Sequence, residues 1–248
     1  MTETVLLARD AGVLTIRMNR AEKKNALDRA MYRAMAEALA SAESEEAIRA
    51  VLIAGAPGAF TAGNDIADFV AFAQDGQRPS EVEAFLLALV RSSKPLVAAV
   101  DGLAIGIGTT MLMHCDLVFA TPRSIFRTPF VDLGLVPEAA SSLIAPRLMG
   151  PQRAFALLAA GETFDAQAAC EANFVTRVVD DAEEAARLAS AALAQKPPEA
   201  LRISRELVRG DRSAVEERIG VEIDHFAERL TSREAQAAFA AFMARSKG

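Results

Sequence analysis

The chain has 248 residues, of which 52% are hydrophobic and 24% charged, with a formal net charge of −6. This is enough for one large core, alone or with a small appendage. The acidic balance argues against non-specific nucleic-acid binding, which needs a basic footprint, and no polybasic membrane patch is present.

From the N-terminus, residues 4–20, "TVLLARDAGVLTIRMNR", alternate as two strands joined by a turn at Asp10-Ala11-Gly12. The chain start lacks the basic region and long apolar stretch of a signal peptide, and "ARSKG" at the end is not a peroxisomal address. A cytoplasmic location is the resulting expectation. Asp28 stands as an N-cap, and Met31, Met35 and Leu39 follow at helical spacing, which predicts an amphipathic helix over 28–43. "SAESEEA" (41–47) reads as acidic surface, and "RAVLIAG" (49–55) as a buried strand. In "GAFTAGNDIADF" (58–69), Gly63 precedes a first helical turn that carries Asp65 and Asp68.

"PLVAAV" (95–100) is a strand, and "DGLAIGIGTTML" (101–112) turns at Gly102 and enters a helix around Gly106-Ile107-Gly108. Asp101 and three glycines interrupt this apolar run, so it reads as strand, turn and short helix rather than a membrane span. Met111 stands where a dinucleotide fingerprint would need glycine. "DLVFA" (116–120) is a strand, with Asp116 a structural residue at its start. "PQRAFALLAAG" (151–161) is a helix ended by Gly161. Asp165 caps the helix "DAQAACEAN" (165–173), and "FVTRVV" (174–179) is a further strand. The alternation predicts an α/β architecture, and from Pro198 to Lys247 the pattern turns all-helical. The expected division is a core over 1–195 and a C-terminal helical region over 196–248.

Cys115 and Cys170 sit in alanine-rich surroundings as buried free thiols, and two unclustered histidines give a metal site no support. His114 reads as a core histidine and His225 as surface or interface. Without a G-x-S-x-G motif, hydrolase chemistry has little basis. Two features carry chemistry. The glycine-flanked helix starts near Gly63 and Gly106 each free backbone N–H groups, and two such donors aimed at one oxygen make an oxyanion hole. In "DLGLVPEAASS" (132–142), Glu138 stands between a proline and two alanines with no basic residue beside it. It is either a solvated turn residue or an acid–base group in an apolar pocket.

These segments resemble the crotonase, or enoyl-CoA hydratase/isomerase, superfamily over nearly the whole chain. The likeness rests on "NRAEKKNALD", "FTAGNDI", "KPLVAAVDGLAIGIG…HCDLVFA", "FRTPFVDLGLVPEAASS" and "KPPEALRISREL", in the family's order. The resemblance implies a ββα spiral core. It places the oxyanion-hole N–H groups at Asn64 and Ile107. Coenzyme A would be held along Asn25, Ala26, Leu27, Ala62, Asp65 and Ile66, with Lys23 and Lys24 either near its phosphates or solvated. Phe126 and Phe130 would line or pack the acyl site.

The family's hydratases use two glutamates, and those places hold Thr110 and Phe130 here. The family's peroxisomal-type enoyl-CoA isomerases carry one glutamate in a segment like "LGLVPEA", which is Glu138. Ala139 stands where those often have glycine, and "ANFV" where the family usually has Gly-Leu-Val. The expectation is a 3-enoyl-CoA to 2-enoyl-CoA isomerase with Glu138 as acid and base. The substrate would be a CoA thioester, with no metal, nicotinamide, nucleic acid or membrane partner. A homotrimer or dimer of trimers follows from the same resemblance, with the C-terminal helices covering a neighbour or the chain's own site. A hydratase or other CoA lyase is the alternative and would need Asp68 or Asp132 as a second carboxylate. An RNA-binding relative is disfavoured by the acidic balance.

Overall fold

The computed structural model describes residues 3–75 and 78–245, so the predicted helix end at Lys247 lies outside the described residues. Strands β1 (Val5–Asp10) and β2 (Val13–Met18) form the predicted hairpin, with Ala11 and Gly12 at positive φ in its turn. Helix α1 (Arg29–Ser44) starts where Asp28 accepts the Met31 N–H, and it buries Met31, Met35 and Leu39 as their spacing requires.

A repeated unit follows, in which one strand joins each of two sheets. Strands β3 (Ala50–Gly55) and β4 (Ala59–Thr61) lead to α2 (Ile66–Asp75) and α3 (Ser80–Arg91). Strands β5 (Leu96–Val100) and β6 (Leu103–Ile105) lead to α4 (Ile107–Thr110) and one 3-10 turn to His114. Strands β7 (Leu117–Ala120) and β8 (Ile125–Arg127) lead, through the Val131–Leu133 turn, to α5 (Ser141–Leu158). Then come β9 (Phe164–Asp165), α6 (Ala166–Glu171), β10 (Arg177–Val178) and α7 (Ala182–Ala194). The larger sheet runs β1-β2-β3-β5-β7-β10, parallel from β2 onward, and the smaller runs β4-β6-β8-β9. This is the α/β spiral that the resemblance implied.

Both faces of the central strands β3, β5 and β7 are buried, which is why these read as unbroken apolar runs. Leu14, Ile53 and Val100 point into the main core, while Leu52, Val97 and Phe119 meet Ala182 and Ala186 of α7 on the other face.

Three predictions shift. The helix expected over 151–161 is the second part of α5, which begins at Ser141 and breaks at Gly150 (φ 80°, ψ 159°). The helix after Gly106 is one α turn followed by the 3-10 turn. The strand expected over 174–179 pairs only at Arg177 and Val178.

The C-terminal part is α8 (Pro198–Arg209), α9 (Ser213–Leu230) and α10 (Arg233–Arg245). Asp116 fastens α8 to the start of β7. Its carboxylate accepts from the Leu96 N–H (2.7 Å) and pairs with Arg205 (2.7 Å) and Arg209 (3.1 Å). No helix among the described residues is long and apolar enough to cross a membrane.

Candidate active site

The two glycine turns meet because β4 and β6 pair, Thr61 opposite Ala104. A Cβ on Gly63 (φ 91°) would lie 2.9 Å from the Ile105 carbonyl oxygen, and one on Gly108 would lie 2.5 Å from Thr61 Cγ2. Only glycine permits this approach. The bridge beside Gly63 uses the Leu27 N–H, donated to the Gly63 carbonyl (2.8 Å), and the Asp65 N–H, donated to the Leu27 carbonyl (2.8 Å). That leaves the Asn64 N–H. Ile107 opens α4, so its N–H has no intrahelical partner either. Among the described residues neither N–H is donated to a protein group.

A cavity of about 420 Å³ opens at these turns. Ala62, Gly63, Asn64 and Gly106 of the two turns line it, as do Lys23, Ala26, Asp65 and Ile66. Its apolar wall includes Phe69 of α2, Phe130, Leu133, Phe226 of α9 and Met243 of α10. The Phe130 ring lies over Gly106, 4.0 Å from where a Cβ would stand.

The sequence-selected residues therefore divide. Lys23, Ala26, Ala62, Asn64, Asp65, Ile66 and Phe130 share the cavity wall. Lys24, Asn25 and Leu27 build the scaffold behind it. Lys24 and Asn25 both take left-handed φ (51° and 56°). Asn25 Nδ2 donates to the Ala59 (2.7 Å) and Ala56 (3.2 Å) carbonyls, and its Oδ1 accepts the Arg20 N–H (2.9 Å). Asp65 pairs with Arg20 at 2.6 Å. Phe126 is a correction: it is fully buried edge-to-face on Phe174, at 5.3 Å between ring centres, and is not among the residues lining the cavity. Its place on β8 puts it in the core between strand and helix, where an aromatic adds packing rather than an acyl surface.

Glu138 is only 1% exposed, so it is not a solvated turn residue. It lies one layer behind the cavity wall rather than on it. Thr110 connects the two: its hydroxyl donates to Glu138 Oε1 at 2.5 Å and stands 3.4 Å from the Gly106 carbonyl oxygen. Glu138 Oε2 has no partner. Burial pushes this carboxyl up to about 8, against the lowering effect of the Thr110 hydrogen bond. The turn after it is left-handed at two non-glycine residues, Ala139 (φ 64°) and Ala140 (φ 53°).

Sequence reasoning missed several supports of this site. His114, the expected core histidine, is 4% exposed, and its Nε2–H donates to the Ala139 carbonyl at 2.7 Å. Burial lowers it to about 4, so it stays neutral. Tyr32 donates its hydroxyl to Asn64 Oδ1, and the Glu138 charge adds to burial in raising the Tyr32 phenol. Glu222 of α9, 5% exposed, accepts from the Ser142 N–H at the start of α5. No local pattern marks these residues, since each acts across the fold. The two carboxylates considered as a second catalytic acid are engaged elsewhere. Asp68 accepts the Arg29 N–H (2.8 Å), and Asp132 pairs with Arg127 (2.7 Å). His225 is exposed beside Glu228. The Cys115 thiol is pushed up to about 12 by burial.

A family model described as enoyl-CoA hydratase/isomerase matches residues 8–248. Human enoyl-CoA delta isomerase 2 is 36% identical over 217 residues, which cover 84% of this chain and 54% of that protein. The chain thus spans about half the length of that relative. The 1,2-epoxyphenylacetyl-CoA isomerase of Escherichia coli is 32% identical over 246 residues, 95% of this chain and 92% of that one. The solved structure of Pseudomonas aeruginosa OdaA superposes with a TM-score of 0.93 at 42% identity, covering 98% of this chain and 99% of that chain.

Proposed function

This chain belongs to the enoyl-CoA hydratase/isomerase family, and from that premise we propose that it is an enoyl-CoA isomerase acting on 3-enoyl-CoA thioesters. The observation that carries the reading is Glu138: a fully buried carboxyl, raised by its surroundings, with one oxygen free and one held by Thr110. By the family resemblance, Thr110 and Phe130 stand where the hydratases carry their two glutamates, and neither side chain can act as a base toward water. The two relatives described above carry isomerase names.

In this mechanism the thioester carbonyl oxygen accepts the N–H groups of Asn64 and Ile107. The Glu138 carboxylate takes a proton from C2, the C2–H electron pair moves into the C1–C2 bond, and a dienolate forms on the carbonyl oxygen. The protonated Glu138 then returns the proton to C4. The carbonyl reforms, and the double bond lies between C2 and C3. No water, oxidant or metal enters the balance. Each oxyanion-hole donor contributes about 3–4 kcal/mol to such a step. Lys23, Ala62 and Asp65, on the cavity wall, would border the CoA moiety. The acyl chain would lie along Phe69, Phe130 and Phe226, and it would move the Phe130 ring off Gly106 to reach the carboxylate.

The test compares 3-hexenoyl-CoA with crotonyl-CoA on the wild type and on Glu138→Gln. The wild type is expected to isomerise the first and to hydrate the second far more slowly. Glu138→Gln should bind the thioester yet lose about 10²–10⁴-fold in isomerisation, the range for positioned acid–base catalysis. Wild-type isomerisation by the variant, or faster hydration than isomerisation by the wild type, would overturn the reading.

A further inference from the structure

We infer that Glu222, on α9, is a positioning residue for Glu138: it clamps the start of α5 and so holds the left-handed turn that aims the base. The inference rests on the reading of Glu138 as that base.

Helix α5 begins without a side-chain cap of its own, because its N-cap is Ala140. The first N–H groups of a helix need acceptors. Glu222, 80 residues further along the chain, supplies one: its Oε1 accepts both the N–H (3.0 Å) and the hydroxyl of Ser142. Arg218, one turn earlier on α9, donates to the same Ser142 oxygen at 3.0 Å. The chain Arg218–Ser142–Glu222 therefore fixes α5 against α9. Immediately upstream, Ala139 and Ala140 hold positive φ, a conformation that costs about 1–3 kcal/mol per non-glycine residue unless its surroundings enforce it. The turn is also held by the His114 Nε2–H on the Ala139 carbonyl, the Ser141 N–H on the Glu138 carbonyl (3.1 Å), and the Leu143 (2.9 Å) and Ile144 (3.0 Å) N–H groups on the Ala140 carbonyl. Glu222 adds the side-chain acceptor that the start of α5 lacks locally.

A second observation concerns unused oxygens. Glu138 Oε2, Ser141 Oγ and Glu222 Oε2 are all buried without a partner, and all three belong to the turn or to its clamp. The Thr110 hydroxyl from α4 is hydrogen-bonded to Glu138, the charge of Glu222 on α9 adds to burial in raising it, its own charge adds to burial in raising the Tyr32 phenol of α1, and neutral His114 holds the Ala139 carbonyl. Glu222 is faced by Ser142 and Arg218, and burial raises its own carboxyl. Its charge raises the Glu138 carboxyl. Glu222 therefore acts on the base through the turn that carries it, and its charge adds to the burial that raises the Glu138 carboxyl.

Two variants separate these effects. Glu222→Ala removes the acceptor, and misaiming the base should cost about 10²-fold in kcat, with KM little changed. Glu222→Gln keeps an acceptor oxygen and should restore most of kcat, yet it removes the charge. The Glu138 titration midpoint should then fall, read from the infrared carboxylic-acid band that is missing in Glu138→Gln. Wild-type kcat in Glu222→Ala, or a loss of kcat in Glu222→Gln as large as in Glu222→Ala, would overturn the inference. Hydrogen exchange at the Ser142 amide needs no turnover and should speed in Glu222→Ala but not in Glu222→Gln. If the wild type fails to isomerise 3-hexenoyl-CoA, the proposed function falls, while the clamp is still decided by that exchange. If Glu222→Ala does not fold, Glu222→Asp, which shortens the reach to Ser142, takes its place, and wild-type exchange and kcat in it would overturn the inference.

Discussion

At Glu138, burial and a hydrogen bond act in opposite directions. Desolvation favours the neutral acid, the Thr110 hydroxyl favours the anion, and desolvation wins, leaving the carboxyl at about 8. A general base works only when ionised, so kcat/KM for isomerisation should climb with pH toward about 8 and level off above it. A profile already flat from about pH 6 upward would contradict this. The same carboxyl makes stability depend on pH. Below an unfolded value of about 4.5 both states are protonated and nothing is lost. Between there and about 8 the unfolded chain ionises while the folded chain keeps its proton, so stability falls as pH rises. The full loss, on the order of 5 kcal/mol, is reached above the folded value. Thermal unfolding should therefore show Tm declining across that window in the wild type and a flatter course in Glu138→Gln. An identical decline in both would place the proton elsewhere.

The elements around the site depend on glycine at the contact between two turns. Gly63 combines a φ of 91° with a carbonyl oxygen 2.9 Å from its absent Cβ. Gly63→Ala must push β4 and β6 apart, and that displaces the Asn64 N–H from the Ile107 N–H. The expected result is a loss of about 10²–10³-fold in kcat, the effect of removing one oxyanion-hole donor. Gly150, at φ 80° in the break of α5, has nothing within 4 Å of where a Cβ would stand, so Gly150→Ala should lower Tm while leaving kcat close to wild type. Steady-state kinetics and thermal melts on both variants distinguish the two kinds of glycine. Equal loss of kcat in both would mean that the close approach at Gly63 is not what matters.

At the scale of the whole molecule, the C-terminal helices close the cavity of their own chain. Phe226 of α9 and Met243 of α10 form part of its wall, and Phe226 and Phe239 pack on Phe69 of α2, with ring centres 5.6 and 6.0 Å apart. Helix α8 differs: Leu207 and Val208 are 79% and 87% exposed in the single chain. Apolar side chains so exposed and adjacent favour burial against another copy. The trimer expected from the family resemblance would give them a partner. Light scattering at micromolar concentration should report a trimer or hexamer, and Leu207→Glu with Val208→Glu should shift it toward smaller species. A wild-type monomer would refute the assembly, and an unchanged mass in the double variant would place the contact on another face.

Local chemistry made part of this protein legible from its residues alone. The β1–β2 hairpin shows in period-two alternation and Gly12, α1 in the Asp28 cap and the Met31-Met35-Leu39 spacing, and the two turns in their glycines. Glu138 stood out because a lone carboxylate among small apolar residues is anomalous wherever it folds. Strands β4, β6 and β8 gave no comparable signal, since three residues are too few for a period. The first half of α5 was hidden by Pro146, which argues against a helix until packing on α9 overrides it, while Pro151 marked a helix start where the structure has a break at Gly150. Phe126 and Phe130 look alike in sequence, yet strand geometry sends one into the core and leaves the other over Gly106. Tyr32, Thr110 and Glu222 reach the site from three separate helices, far apart along the chain. Sequence thus determined the longer elements and the anomalous acid, because propensity and turn chemistry act over a few residues. Only the tertiary structure decided what surrounds that acid, because burial and charge act through space, between residues whose separation along the chain carries no information.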